Sequence, residues 1–260
     1  MDTIFRRIIP RIAISRHKTN HSVAGITTKL YEPHRFIGNP PNQARIFESN
    51  MADELIIVNL DLDSISTETF AELVSDVSSE IFMPLSVGGG IDTLEKASMF
   101  FEIGIEKIVV ERGLINNGEE VNRIANRYGS QSVVASCTYW GSATTSIPES
   151  LARRGIIPIK DLPRRIMEMQ EFGIGEIMIN DASRDGTRMG SNLDALNMTL
   201  ENTSLPVIDS CGFGKTKHIV ESFEAGSSAV AIGTYFAFVD QSFMQLRNQL
   251  ANHGIRVRLK

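Results

Sequence analysis

The sequence predicts an α/β chain folded as one closed (β/α)8 barrel of the TIM type, built from two duplicated half-barrels. Three observations carry that expectation. Two stretches of the 260-residue chain align without a gap at an offset of 122 residues, which sets Pro84 on Pro206, Gly90 on Gly212, Phe101 on Phe223, Gly104 on Gly226 and Ile108 on Val230. The same shift sets Glu54 on Glu176 and Leu55–Val58 on Ile177–Asn180. Each copy reads apolar strand, glycine turn, amphipathic helix, Gly and a second apolar strand, a βαβ unit that feeds a parallel sheet. Length and a 42 % hydrophobic content suit a single barrel over residues 1–260, since such barrels run to about 250 residues.

Eight strands are expected, near Ile8–Ile14, Leu55–Leu60, Phe82–Val87, Lys107–Val110, Ser132–Cys137, Glu176–Asn180, Pro206–Asp209 and Ala229–Gly233. They are short, rich in Ile and Val and mostly continuous, as strands buried on both faces are. Helices are expected over Ser64–Glu80, Thr93–Ile103, Asp161–Phe172, Lys215–Ala225 and about Gln241 to His253. Asp92 would cap the second of these, and Gly104 and Gly226 would stop the second and fourth. Two connections exceed the usual length, His17–Pro41 and Tyr139–Lys160, and both fall on the C-terminal rim, where they would act as lids. No linker or second-domain boundary is visible.

Composition excludes several classes. A net charge of −5 with no basic run argues against nucleic acid. The apolar runs are too short to span a bilayer, and Arg6, Arg7 and Arg11 interrupt any leader-like stretch. Cys137 and Cys211 have no metal spacing and read as small buried residues of a reduced cytoplasm. The histidines show no ligand spacing, so neither a metal nor a cofactor is expected.

Motifs spread from end to end resemble the cyclase subunit of imidazole glycerol phosphate synthase, the HisF barrel of histidine biosynthesis. They are Arg7-Ile8-Ile9-Pro10, Val87-Gly88-Gly89-Gly90-Ile91, Gly129-Ser130-Gln131, Arg184-Asp185-Gly186-Thr187, Gly214-Lys215 and the closing His253-Gly254-Ile255-Arg256-Val257-Arg258-Leu259. The resemblance implies a barrel that receives ammonia from a glutaminase subunit docked on its N-terminal face. At the C-terminal face the family uses that ammonia to cleave and cyclise an aminated bis-phosphorylated ribosyl compound.

The departures from the family matter as much. Its two catalytic aspartates fall on Ala13 and Thr138 here, neither of which exchanges a proton near pH 7. No Asp or Glu lies between Ile4 and Tyr31 to replace the first. A positioned acid or base is worth about 10²–10⁴-fold in rate, so no catalytic residue of the family reaction is expected. The implied phosphate-binding residues are Gly90 in the first half and Asp185, Gly186, Gly212, Gly214, Gly233 and Thr234 in the second, where turn N–H groups would converge on an anion. The first-half site carries Glu111-Arg112 in place of the family's Asn-Thr. A carboxylate about 4 Å from a phosphate costs about 4 kcal/mol at an effective dielectric of 20, so this side is expected to be the weaker.

The family's ammonia gate maps onto Arg7, Glu54, Lys107 and Glu176, each opening a strand, although charges at strand starts also occur simply because strand ends meet water. Retained gate and lost acids together imply an ammonia-channelling subunit of a glutamine amidotransferase complex. Its partners would be a glutaminase and an ATP-dependent sugar amidotransferase of surface polysaccharide or lipopolysaccharide biosynthesis, and a phosphorylated small molecule is a further ligand. Two alternatives stay open: a diverged cyclase of histidine biosynthesis, and a barrel with new rim chemistry on Asp61, Asp181 or Asp209, with Trp140 and His17 as lone rim residues.

Overall fold

The computed structural model describes residues 5–17, 21–142, 145–238 and 243–259. Eight parallel strands form the barrel: β1 (Arg7–Arg16), β4 (Leu55–Asn59), β5 (Leu85–Gly88), β6 (Lys107–Val110), β7 (Val133–Trp140), β9 (Glu176–Asp181), β10 (Val207–Ser210) and β11 (Ala229–Ile232). They pair in that order, and β11 pairs back onto β1, with Arg7 opposite Ala229 and Pro10 opposite Ile232, so the barrel is closed. Phe82, expected in the third strand, lies before it and is 97 % exposed.

Side chains alternate across each strand, and the two faces separate cleanly. The outward face, with Ile8, Ile57, Ile108, Val133, Ile177 and Val230, packs under the helices in the main core. The inward face holds a separate apolar cluster of Ile9, Ile56, Val109, Val134, Met178, Ile208, Ala229 and Ala231. This cluster lines the middle of the lumen in layers of side chains.

The outer helices include α2 (Thr67–Ser78), α3 (Leu94–Glu102), α5 (Gly118–Tyr128), α7 (Leu162–Gln170), α8 (Leu193–Glu201), α9 (Thr216–Ala225) and α11 (Phe243–Asn252). Side-chain caps set several starts: Ser66 accepts from Thr69 N, Thr93 from Lys96 N and Asn192 from Ala195 N. Asp92, expected as the α3 cap, instead pairs with Lys96 at 2.7 Å. The helices α5 and α8 were not expected, nor was α1 (Pro40–Ser49), nor the single turns α4 (Arg112–Asn116), α6 (Glu149–Ala152) and α10 (Thr234–Phe238). The single turns are too short to show a period, whereas α5 has Val121, Ile124 and Ala125 on one buried stripe, a signal that was present in the sequence.

The connection 17–41 is largely not an irregular loop. Strand β1 runs past the barrel and pairs antiparallel with β2 (Val23–Lys29), which returns as β3 (Glu32–Gly38) through a turn at Leu30 and Tyr31, both in the left-handed region. The second long connection contains α6 and a two-residue strand β8 (Ile157–Pro158) on the end of β7. Among the described residues no helix is long and apolar enough to cross a membrane.

Candidate functional site

The lumen is chemically layered from one mouth to the other. At the N-terminal mouth the first inward residues of four strands form a ring: Arg7 of β1, Glu54 just before β4, Lys107 of β6 and Glu176 of β9. Arg7 Nη1 bonds Glu54 and Arg7 Nη2 bonds Glu176, while Lys107 Nζ lies 3.3 Å from Glu54 Oε2 and 3.1 Å from Glu176 Oε2. Each charge therefore faces two of the opposite sign. The two carboxylate side chains are only 10 % and 6 % exposed. Burial works against the Arg7 charge, but Glu176 and Glu54 outweigh it and hold the guanidinium protonated.

Above the ring sits the apolar cluster, and above that a polar chamber built from the next inward positions. Arg11 Nη1 donates to Asn180 Oδ1 at 3.2 Å and to Ser210 Oγ at 3.4 Å. Asn180 Nδ2 donates to Ser136 Oγ at 3.0 Å, and Ser136 Oγ donates to Glu111 Oε2 at 3.2 Å. The Thr138 N–H donates to Glu111 Oε1 at 2.6 Å, and Tyr31 OH lies 3.1 Å from Thr138 Oγ1. Burial pushes the Glu111 carboxyl above the usual range, against the hydrogen bonds of Thr138 and Ser136 and the charge of Arg11.

Ala13 lies near the top of the lumen, where it helps to line a space beside the second-half turns. The family's acid position at Thr138 carries a hydroxyl engaged by Tyr31, with the Glu111 carboxylate on its backbone. Glu111, expected as an intruder in a phosphate site, thus turns into the lumen toward β7. Sequence reading did not single out Arg11 or Tyr31. Arg11 could have been found by counting inward positions along β1 from Arg7 through Ile9. Tyr31 could not, because only the hairpin brings it to Thr138.

On the rim the glycine turns differ in the room they leave. Asp185, Gly186, Gly212, Gly233 and Thr234 come together around a space of about 30 Å³ that Thr27 and Thr28 of β2 also line. The hairpin is latched there: Leu30 N donates to Asp185 O at 2.9 Å and Tyr31 N to Asp185 Oδ2 at 3.0 Å. Gly186, at φ +68°, lies so close to Thr28 that a Cβ would sit 2.2 Å from its carbonyl oxygen. Gly214 stands aside, its N–H donating to His218 Nδ1 at 3.3 Å. The first-half turn at Gly90 instead opens on a cavity of about 1140 Å³, which Arg11, Tyr31, Glu111, Arg112 and Thr138 also line. The Gly90 carbonyl accepts from Lys96 Nζ at 3.0 Å.

The other rim residues have local partners. Asp61 accepts from Arg16 N at 3.0 Å and Ser15 Oγ at 3.3 Å. Asp181 accepts from Gly141 N, Ser183 and Asn192, and Asp209 accepts from Ser222 Oγ at 2.7 Å. Asp181 and Asp209 are buried on the outward face of their strands rather than in the lumen. Trp140 is buried and donates to Thr145 O at 3.0 Å, and His17 packs on Phe36. Both cysteines are free and buried, and no cluster of three potential metal ligands occurs among the described residues.

Known proteins resemble this chain over its whole length. Residues 7–241 match the family described as histidine biosynthesis protein. The chain is 33 % identical over 257 residues to a Prochlorococcus marinus protein called "Putative imidazole glycerol phosphate synthase subunit hisF2", covering 98 % of each chain. It is 34 % identical over 218 residues to a protein of the same name from Pseudomonas aeruginosa, covering 82 % of this chain and 84 % of the other. It is also 33 % identical over 255 residues to "Imidazole glycerol phosphate synthase subunit HisF" of Chlorobium phaeobacteroides, covering 98 % and 99 %. With a closed eight-stranded barrel and full-length similarity of this kind, the chain belongs to the histidine biosynthesis protein family, as a barrel of the HisF type.

Proposed function

We propose that this HisF-type barrel is the ammonia-channelling subunit of a glutamine amidotransferase complex. A single observation carries the reading: a self-paired ring of Arg7, Glu54, Lys107 and Glu176 lies under an apolar lumen that opens into a polar chamber. Ammonium would pay the desolvation of an ion to enter the apolar layer, whereas neutral ammonia would not. The ring therefore serves as a gate, and the N-terminal face around it is where a glutaminase docks.

Ala13 and Thr138 at the family's acid positions support delivery rather than the family cyclisation. The acceptor enzyme in this proposal is an ATP-dependent sugar amidotransferase of surface polysaccharide or lipopolysaccharide synthesis, in the cytoplasm. Phosphate binding at Gly212, Gly233 and Thr234 belongs to the same proposal, in the space of about 30 Å³ that Thr27 and Thr28 of the β2–β3 hairpin also line. The identity to HisF subunits favours a second reading, a diverged cyclase of histidine biosynthesis. Co-purification from the native cell discriminates: a glutaminase with an ATP-using synthetase supports delivery, and a glutaminase alone with ammonia-dependent cyclase turnover supports the second reading.

A further inference from the structure

Arg11 differs from the other enclosed arginines of this barrel. Arg7 has two carboxylates and Arg247 has Asp53 at 2.8 Å, but among the described residues no carboxylate lies within ion-pairing distance of Arg11. Its Nη1 donates to the neutral Asn180 and Ser210, and the neutral Tyr31 hydroxyl is a further partner of the guanidinium. Its side chain borders both the small space at the Gly212 turn and the cavity of about 1140 Å³.

The groups that could balance its charge are otherwise engaged. Asp185 is held by Tyr31 N and the Glu111 carboxylate by Thr138 and Ser136. Burial raises the Tyr31 phenol and the Cys211 thiol, so both stay neutral. A guanidinium does not shed its proton to escape burial, and its flat fork fits two oxygens of one oxyanion. The Tyr31 ring, 5.9 Å from the guanidinium carbon, lies beside the fork.

We propose that Arg11 is the anion anchor of the C-terminal chamber, its remaining N–H edge taking two oxygens of a carboxylate or phosphate group on a small ligand in the cavity. That group would lie at the top of the apolar layer, on the lumen axis and apart from the Gly212 turn. Arg11 then fixes the ligand where anything leaving the lumen must meet it.

Calorimetric titration of the full chain with inorganic phosphate and with acetate, against chloride at equal ionic strength, tests this. Wild type is expected to bind at least one of the two oxyanions over chloride, and the preference names the group. Arg11→Met should abolish that binding, and Arg11→Lys, which keeps the charge but not the fork, should weaken it about tenfold or more. Arg45→Met, which removes an exposed guanidinium paired with Glu80 on the outside of the barrel, should leave it unchanged. Should Arg11→Met destabilise the fold, the Lys variant alone decides. Wild-type affinity in Arg11→Lys and Arg11→Met, or no oxyanion preference in wild type, overturns the proposal. Loss only in Thr234→Val also overturns it, while upholding a phosphate site at the Gly212 turn. None of these outcomes bears on ammonia delivery.

Discussion

Glu54 and Glu176 each have two cations, so replacing Lys107 alone leaves both still paired with Arg7. Lys107→Met should therefore cost less than the roughly 3–5 kcal/mol typical of breaking a buried pair outright. The functional prediction is leakage: in the glutaminase complex glutamine is still hydrolysed, but amidated product falls relative to free ammonia. An unchanged ratio would reduce the ring to ordinary strand ends. Asp209 makes a separate prediction about pH. Burial raises its carboxyl to about 6 from 3.8, against hydrogen bonds from Ser191 and Ser222. The folded state thus binds this proton more tightly than the unfolded state, so the associated stability is full below pH 3.8 and is lost as pH rises through about 6. That loss is on the order of 3 kcal/mol at neutral pH. Asp209→Asn, whose amide oxygen can still accept from Ser222, should gain melting temperature over wild type at pH 7 and lose that advantage at pH 4. A constant difference across this range would contradict the buried-acid account.

At the scale of elements, the β2–β3 hairpin is the segment that closes the chamber. Its turn is held by two bonds to Asp185 and by Tyr31 on Thr138, with Arg154 Nη1 donating to Tyr31 O at 3.2 Å. Asp185→Ala removes the bond to Tyr31 N and should speed amide exchange at Tyr31 without changing exchange in β4 or β9. Tyr31→Phe removes one hydroxyl contact and should cost about 0.5–1.5 kcal/mol by denaturant unfolding. Equal exchange rates in wild type and Asp185→Ala would show that the hairpin is held by its own pairing. The sequence reading saw a long lid here but not its strands. In β3, Pro33, His34 and Arg35 do not alternate by polarity because the strand is exposed along most of its length, and in β2 Gly25, Ile26 and Thr27 are buried in succession rather than alternately.

For the whole molecule, the prediction is chemical silence in isolation. Purified chain supplied with ammonium salt should not turn over the bis-phosphorylated ribosyl intermediate of the histidine pathway at a useful rate, because Ala13 and Thr138 transfer no proton. A rate comparable to that of a working cyclase would retire the delivery reading and point to Glu111, whose carboxylate lies beside Thr138, as the replacement acid.

The sequence by itself determined the barrel and its strand positions, because eight short apolar runs separated by glycine turns leave a parallel, twice-covered sheet as the way to bury them. The family resemblance marked Arg7, Glu54, Lys107 and Glu176 at the openings of four strands, and the folded barrel brings them into one paired ring. Only the tertiary structure decided what the C-terminal chamber is. The arrival of Tyr31 over Thr138 and the missing counter-ion of Arg11 depend on residues more than a hundred positions apart meeting in a closed barrel, and the direction of the Glu111 side chain depends on Ser136 and Thr138 of the neighbouring strand β7. Local pattern carries no record of such meetings, because each of these side chains obeys its own strand or turn and only the closure of β11 on β1 brings them face to face.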